Sequence, residues 1–158
     1  MLRKVMPCRS GTRGVRLLRA GLAGMAFLSA TPPQVQAQGP LVILNDNGGL
    51  LRARRAEVRA LQSSGRRVEL RGTCYSACTM YLGAPGVCVD PRAELGFHGP
   101  SWYSAPLPPQ DFDYWSHELA VHYREPLRSW FLREARYTLN SYHRISGAEI
   151  IRMGYPQC

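Results

Sequence analysis

The first 37 residues of this 158-residue chain contain no acidic residue. The apolar run among them, Ala20 to Ala30, is too short to span a bilayer and carries two glycines, which argues against a membrane anchor. No internal repeat or low-complexity tract appears, so solenoids and compositionally biased tails are excluded. The cysteine spacing matches no common zinc finger or ribbon, so no metal site is expected. What the opening segment does contain is Arg3, Lys4, Arg9, Arg13, Arg16 and Arg19, then the apolar run, then Val35-Gln-Ala37 as a small-residue cleavage site. This order reads as a secretory signal peptide over 1–37, and it predicts a periplasmic or secreted protein.

Removing that segment takes six basic residues and no acid, which lowers the net charge from +9 to +3. No nucleic-acid partner is therefore expected. The arginines at 52, 54, 55, 59, 66 and 67 fall in and just after one helix, where a solvated face is the simpler reading. The remaining stretch, 38–158, suffices for one small domain with a single core. It holds four cysteines, Cys74, Cys78, Cys88 and Cys158, an even number that favours two disulfides in an exported chain. Three connectivities are open. A Cys78–Cys88 link would tie a helix to the strand after it, and Cys74 or Cys158 could pair otherwise.

Leu41-Val-Ile-Leu44 predicts a strand that stops at the turn cluster Asn45-Asp-Asn-Gly-Gly49. Leu50 to Ser63 then carries Leu51, Val58 and Leu61 on one helical face. Gly65 ends that helix, Arg67-Val-Glu-Leu70 resumes alternation, and the strand breaks at Gly72. Ser76 stands where an N-cap belongs, before a short helix from Ala77 to Leu82. Val87 to Val89 and Ala93 to Phe97 read as two more extended pieces. Repeated strand–turn–helix units predict an α/β fold with a mostly parallel sheet and ligands at the carboxyl ends of its strands. Gly48-Gly49, Ser76 and His98 all fall at such ends.

Ser101 to Gln110 is a proline-broken loop, followed by helices over Phe112 to Tyr123 and Pro126 to Tyr137. Ser146 caps a closing helix, with Glu149 as its capping-box partner and Gly154 as its stop. Trp102, Tyr103, Trp115, Tyr123, Trp130 and Phe131 are read mainly as core that docks the helices, with a hydrophobic substrate groove as the alternative. His117, His122 and His143 have no partner at telling spacing.

A serine hydroxyl becomes a nucleophile when a base lies within hydrogen-bond reach, and Ser76 with His98 has the right residue types. Backbone N–H groups of Gly49 and Ala77 would supply an oxyanion hole. The order Asn45-Asp-Asn-Gly-Gly49, Gly72-Thr-Cys-Tyr-Ser-Ala-Cys78, Ala93-Glu-Leu-Gly-Phe-His98 resembles the proteolytic subunit of the Clp protease and its crotonase-like relatives. The closest look is to exported Clp-protease-like proteins carrying Cys-x-Ser-Ala-Cys. The tail Ile145 to Gly154 looks like the family's closing segment. The resemblance implies Ser76 as nucleophile, His98 as base, Gly49 and Ala77 as oxyanion donors, a peptide or small acyl substrate, and no cofactor.

The chain departs from that pattern in three places. The family's triad acid precedes the closing helix, whereas Tyr137 to His143 holds no carboxylate. Asn140 is the nearest polar stand-in, with Asp111 or Asp113 available only if the loop folds back. The strand and helix that normally precede the glycine turn are replaced by the signal-peptide segment, leaving a sheet edge that a second copy could pair with. The aromatic helices replace the segment that packs subunit rings, so no ATPase partner is expected.

Overall fold

A computed structural model describes residues 38–158, and the expected signal peptide lies outside them. The first unit is strand β1 (Leu41–Asp46), the glycine turn and helix α1 (Leu51–Ser64). The second is β2 (Val68–Tyr75) running into a 3-10 helix, Ser76–Gly83. β3 (Cys88–Val89) and β4 (Glu94–Phe97) follow, then α2 (Pro109–Ala120), α3 (Leu127–Arg133), β5 (His143–Ser146) and α4 (Gly147–Arg152).

The sheet is mixed. β2 is its centre, pairing in parallel with β1, β3 and β4, while β5 closes the far edge antiparallel to β4. Sequence pattern misses β5 because only Ile145 of its residues is buried, so no alternation is visible there. α4 begins at Gly147, and Ser146 accepts from the Glu149 N–H at 3.3 Å, the cap that the sequence predicts.

β2 also continues through Gly72, where the sequence reading ends it. A Cβ at Gly72 would lie 2.0 Å from the Leu44 carbonyl oxygen, and the β1–β2 register shifts between Ile43 and Asn45. The glycine marks a close backbone approach at an irregular step, where any other residue would push the strands apart.

Val58 and Leu61 of α1, Val68 and Leu70 of β2 and Leu95 and Phe97 of β4 fill one core with Leu127 and Phe131 of α3. Phe97 meets the rings of Tyr123 and Trp130 edge-on at 5.5 and 5.7 Å, so these aromatics dock the later helices onto the sheet as expected. Trp102 and Tyr103 do not join them, being 63% and 89% exposed. No helix among the described residues is long and apolar enough to cross a membrane.

Two disulfides form, Cys74–Cys78 and Cys88–Cys158, so the Cys78–Cys88 link is not made. The cause lies in the tail, which lies along β3: Val89 N–H donates to Pro156 O at 2.9 Å and Cys158 N–H to Val89 O at 3.1 Å. That pairing sets Cys158 beside Cys88. With every one of the four sulfurs in a disulfide, none is left as a thiolate for zinc. Loop entropy assigns about 4 kcal/mol to the 70-residue Cys88–Cys158 loop and about 2 kcal/mol to the Cys74–Cys78 loop. Urea unfolding of the paired serine variants should reproduce that order, with Cys88→Ser/Cys158→Ser the more damaging.

Candidate active site

Tyr75 pairs with Gly96 at the end of the β2–β4 ladder, so Ser76 and His98 both emerge just past the last paired step. There the Ser76 Oγ lies 2.7 Å from His98 Nε2. Both residues are half-buried, and the site sits at the carboxyl ends of parallel strands. Ser76 is not the side-chain cap its sequence position suggests. No helix N–H donates to its hydroxyl, and Tyr75 takes the cap position without a side-chain bond.

Ser76 instead occupies the left-handed region, with φ 57°. That conformation costs a non-glycine residue about 1 kcal/mol or more, and it persists only where the surroundings enforce it. Three contacts do so. The buried Thr79 hydroxyl donates to Ser76 O at 2.7 Å and is itself 2.7 Å from the buried Tyr123 hydroxyl. The Cys74–Cys78 disulfide closes the chain on either side of the serine. Gly48 packs directly beneath: a Cβ there would lie 2.6 Å from Ser76 Cβ and 3.0 Å from Ala77 N.

The same turn supplies hydrogen-bond donors. Gly48 N–H is taken by Asp46 Oδ1 at 2.8 Å, whereas Gly49 N–H donates to no group among the described residues. Ala77, second in the 3-10 helix, has no carbonyl three residues back within that helix to receive its N–H. Among the described residues both expected oxyanion donors are therefore uncommitted, and the Gly48 contact brings their two segments together.

Arg54 holds the glycine turn, a role that the sequence reading misses by placing all the α1 arginines on a solvated face. Its side chain is only 11% exposed. It donates to Asp46 Oδ2 at 2.6 Å, to Gly48 O at 3.4 Å and to the Tyr81 hydroxyl in the 3-10 helix, and stacks over the Tyr81 ring. One guanidinium thus joins α1, the turn and the helix that carries Ser76. The only hint in the sequence is the arginine itself, placed one turn into α1 after Asp46; periodicity gives no sign of its burial. Arg55 is likewise engaged, by Glu118 and Tyr114 of α2.

The third catalytic position is where expectation and structure part. His98 Nδ1 is buried and has no hydrogen-bond partner among the described residues, so Asn140 does not orient it. Asn140 lies in an exposed bend. Thr138 O instead receives the Gly99 N–H at 2.8 Å, and the Tyr142 ring meets the imidazole edge-to-face at 5.1 Å. Tyr142 in turn stacks on Tyr75 at 5.0 Å, and the Tyr75 hydroxyl donates to Glu94. Asp111 is exposed at the start of α2, and Asp113 is bound to Arg136 at 2.8 Å, so neither serves His98. An aromatic stack stands where a carboxylate was sought.

Burial pushes the His98 imidazole below its ordinary value, and the Gly99 backbone opposes this without meeting hydrogen-bond geometry at Nδ1. The ring is thus held in its neutral, proton-accepting form. Among the described residues no group of three His, Cys, Asp or Glu side chains is placed to hold a metal ion. Comparison with known proteins finds no matching family model and no matching curated protein.

Arg54→Ala would leave Asp46 unpaired and half-enclosed, and should cost about 2 kcal/mol or more in chemical denaturation. His122, packed on Gly83, is also lowered by burial. For both histidines the unfolded chain binds a proton more readily than the folded one, so stability should fall as pH drops through about 6.5. Thermal melts of His98→Gln/His122→Gln between pH 7.5 and 5.5 should show a shallower fall than the parent.

Proposed function

We propose that this chain is an exported serine hydrolase of Clp-protease or crotonase-like type, cleaving peptides or small acyl compounds through an acyl-enzyme. The observation that carries the reading is the 2.7 Å Ser76 Oγ–His98 Nε2 contact, made on a turn whose strain other groups maintain. The run of basic and apolar residues before position 38, together with two disulfides, supports export to an oxidising compartment.

In the proposed reaction His98 Nε2 takes the Ser76 proton as Oγ adds to the substrate carbonyl. The tetrahedral oxyanion rests against the N–H groups of Gly49 and Ala77. The imidazolium then returns the proton to the departing amine or alcohol, and the acyl-serine remains. Water, deprotonated by His98, releases the acid and restores Ser76. Acylation and deacylation each need His98 neutral at their start, which its lowered proton affinity favours. No carboxylate offsets the imidazolium, so the positive charge is carried by the ring with Tyr142 holding its plane.

A second reading rests on that same unpartnered Nδ1: a protein that keeps the fold as a binding or assembly module. The β1 edge, unpaired among the described residues and with Val42 and Leu44 exposed, suits pairing with a second copy in either case. No ATPase or nucleic-acid partner enters the proposal.

A fluorophosphonate probe decides between them. The exported protein should be labelled at Ser76, with labelling abolished in Ser76→Ala and reduced about 100-fold or more in His98→Ala. The rate should reach half its plateau below pH 6.5, since the base is active when neutral. Tyr142→Ala should slow labelling about tenfold and move the acid limb back toward pH 6.5 by admitting water, while Tyr142→Phe should match the parent. A folded parent protein that stays unlabelled would favour the binding module.

A further inference from the structure

An open cavity of about 390 Å³ lies between the start of α1 and the Pro100–Leu107 loop. Its walls include Leu50, Leu51, Trp102, Leu107 and Trp115, with Arg52 the one charged lining residue among those described. Two walls continue the site: Leu50 follows the oxyanion donor Gly49, and Pro100 comes two residues after His98. A chain bound with its carbonyl carbon at Ser76 therefore has this cavity within a few bonds' reach.

The walls are apolar and wet. Leu50 is 67% and Trp102 63% exposed, and large apolar side chains clustered about a concavity mark a binding surface rather than chance exposure. The loop that supplies Trp102 is also held in a costly shape. Trp102 and Ala105 exchange both backbone hydrogen bonds at 2.9 Å across a two-residue turn, and both central residues, Tyr103 and Ser104, have positive φ, 48° and 67°. Asparagine and glycine ordinarily fill such a turn. The paired hydrogen bonds fix where Trp102 stands before any ligand arrives.

Charge sets the remaining preference. Arg52 and Arg55 both lie over the Trp115 ring, at 5.6 and 5.5 Å. Arg55 is neutralised by Glu118, whereas no salt bridge among the described residues involves Arg52. The cavity thus combines an apolar floor with one uncompensated cation.

We propose that this cavity is the acyl subsite of the hydrolase, and that it takes an apolar acyl group of about six carbons bearing a carboxylate that pairs with Arg52. The proposal rests on the hydrolase reading for its chemistry, but the cavity can be tested apart from it. On p-nitrophenyl esters, kcat/KM should rise about tenfold or more from acetate to hexanoate, since each buried methylene contributes about fourfold at full burial and this cavity is half open. The ω-carboxylate ester, mono-p-nitrophenyl adipate, should exceed hexanoate about fivefold at low salt. Arg52→Gln should erase that second preference, and Trp102→Ala, at an exposed position that does not threaten folding, should collapse the first. A flat chain-length profile, or a carboxylate preference that survives Arg52→Gln, would overturn the subsite while leaving the hydrolase intact. If no ester is turned over and Ser76 takes no fluorophosphonate, the hydrolase reading fails by itself. The cavity then stands or falls on tryptophan emission titrated with monomethyl adipate: saturation weakened at least fivefold in Arg52→Gln supports the site, and absence of saturation overturns it.

Discussion

Ser76 turns the chain out of β2 through a left-handed backbone conformation, φ 57°, and most of the surrounding structure either enforces that turn or uses it. Thr79 holds its carbonyl, the Cys74–Cys78 disulfide closes its flanks, and Gly48 makes room for its Cβ. The return is direction. A serine in the extended geometry of an ordinary N-cap would lend its hydroxyl to the helix terminus, as Ser146 does at α4. A serine turned left-handed keeps its hydroxyl out of the helix and presents it to the strand beyond, where His98 stands.

The electrostatics of the site follow from burial rather than from counter-charge. Among the described residues no carboxylate reaches His98, and its Nδ1 has no partner. Such an imidazole costs less while neutral than when charged. The Tyr142–Tyr75–Glu94 chain steadies the ring mechanically and ends in a charge, but that charge is spent on the Tyr75 hydroxyl, whose own deprotonation it discourages. On the other flank Arg54 brings a cation under the glycine turn and satisfies it with Asp46, Glu57 and Gly48 O. The two sides of the site are thus stiffened by different means, one aromatic and one ionic.

How much of this could be read from residues alone depends on the range of each signal. β1, α1 and the start of β2 are legible because Leu41–Leu44 and the Leu51, Val58, Leu61 face carry their periodicity within one element. The Ser76–His98 pair is legible from the order of its segments. β5 is not, since its single buried side chain gives no pattern. Arg54 looks like its neighbours until Asp46, Tyr81 and Gly48 are placed around it. Cysteine pairing was open because the strand-like run of Pro156 to Cys158 along Val89 is a tertiary fact. The expectation for Asn140 failed for the same reason: nearness in sequence to the family's acid position says nothing of which carbonyl or ring the bend turns inward.

The Cys74–Cys78 bridge has a bearing on when the site exists as well as how. Its ring spans four steps of chain with Ser76 at the middle, so the bond and the left-handed turn share the same few backbone angles. Such a bond persists in an oxidising compartment and is kept open by cellular thiols elsewhere. A newly made chain in a reducing compartment would therefore carry Ser76 on a looser hinge, relieved of the strain that aims it. Oxidation of this pair thus adds a redox condition to the direction that Thr79 and Gly48 also give the serine.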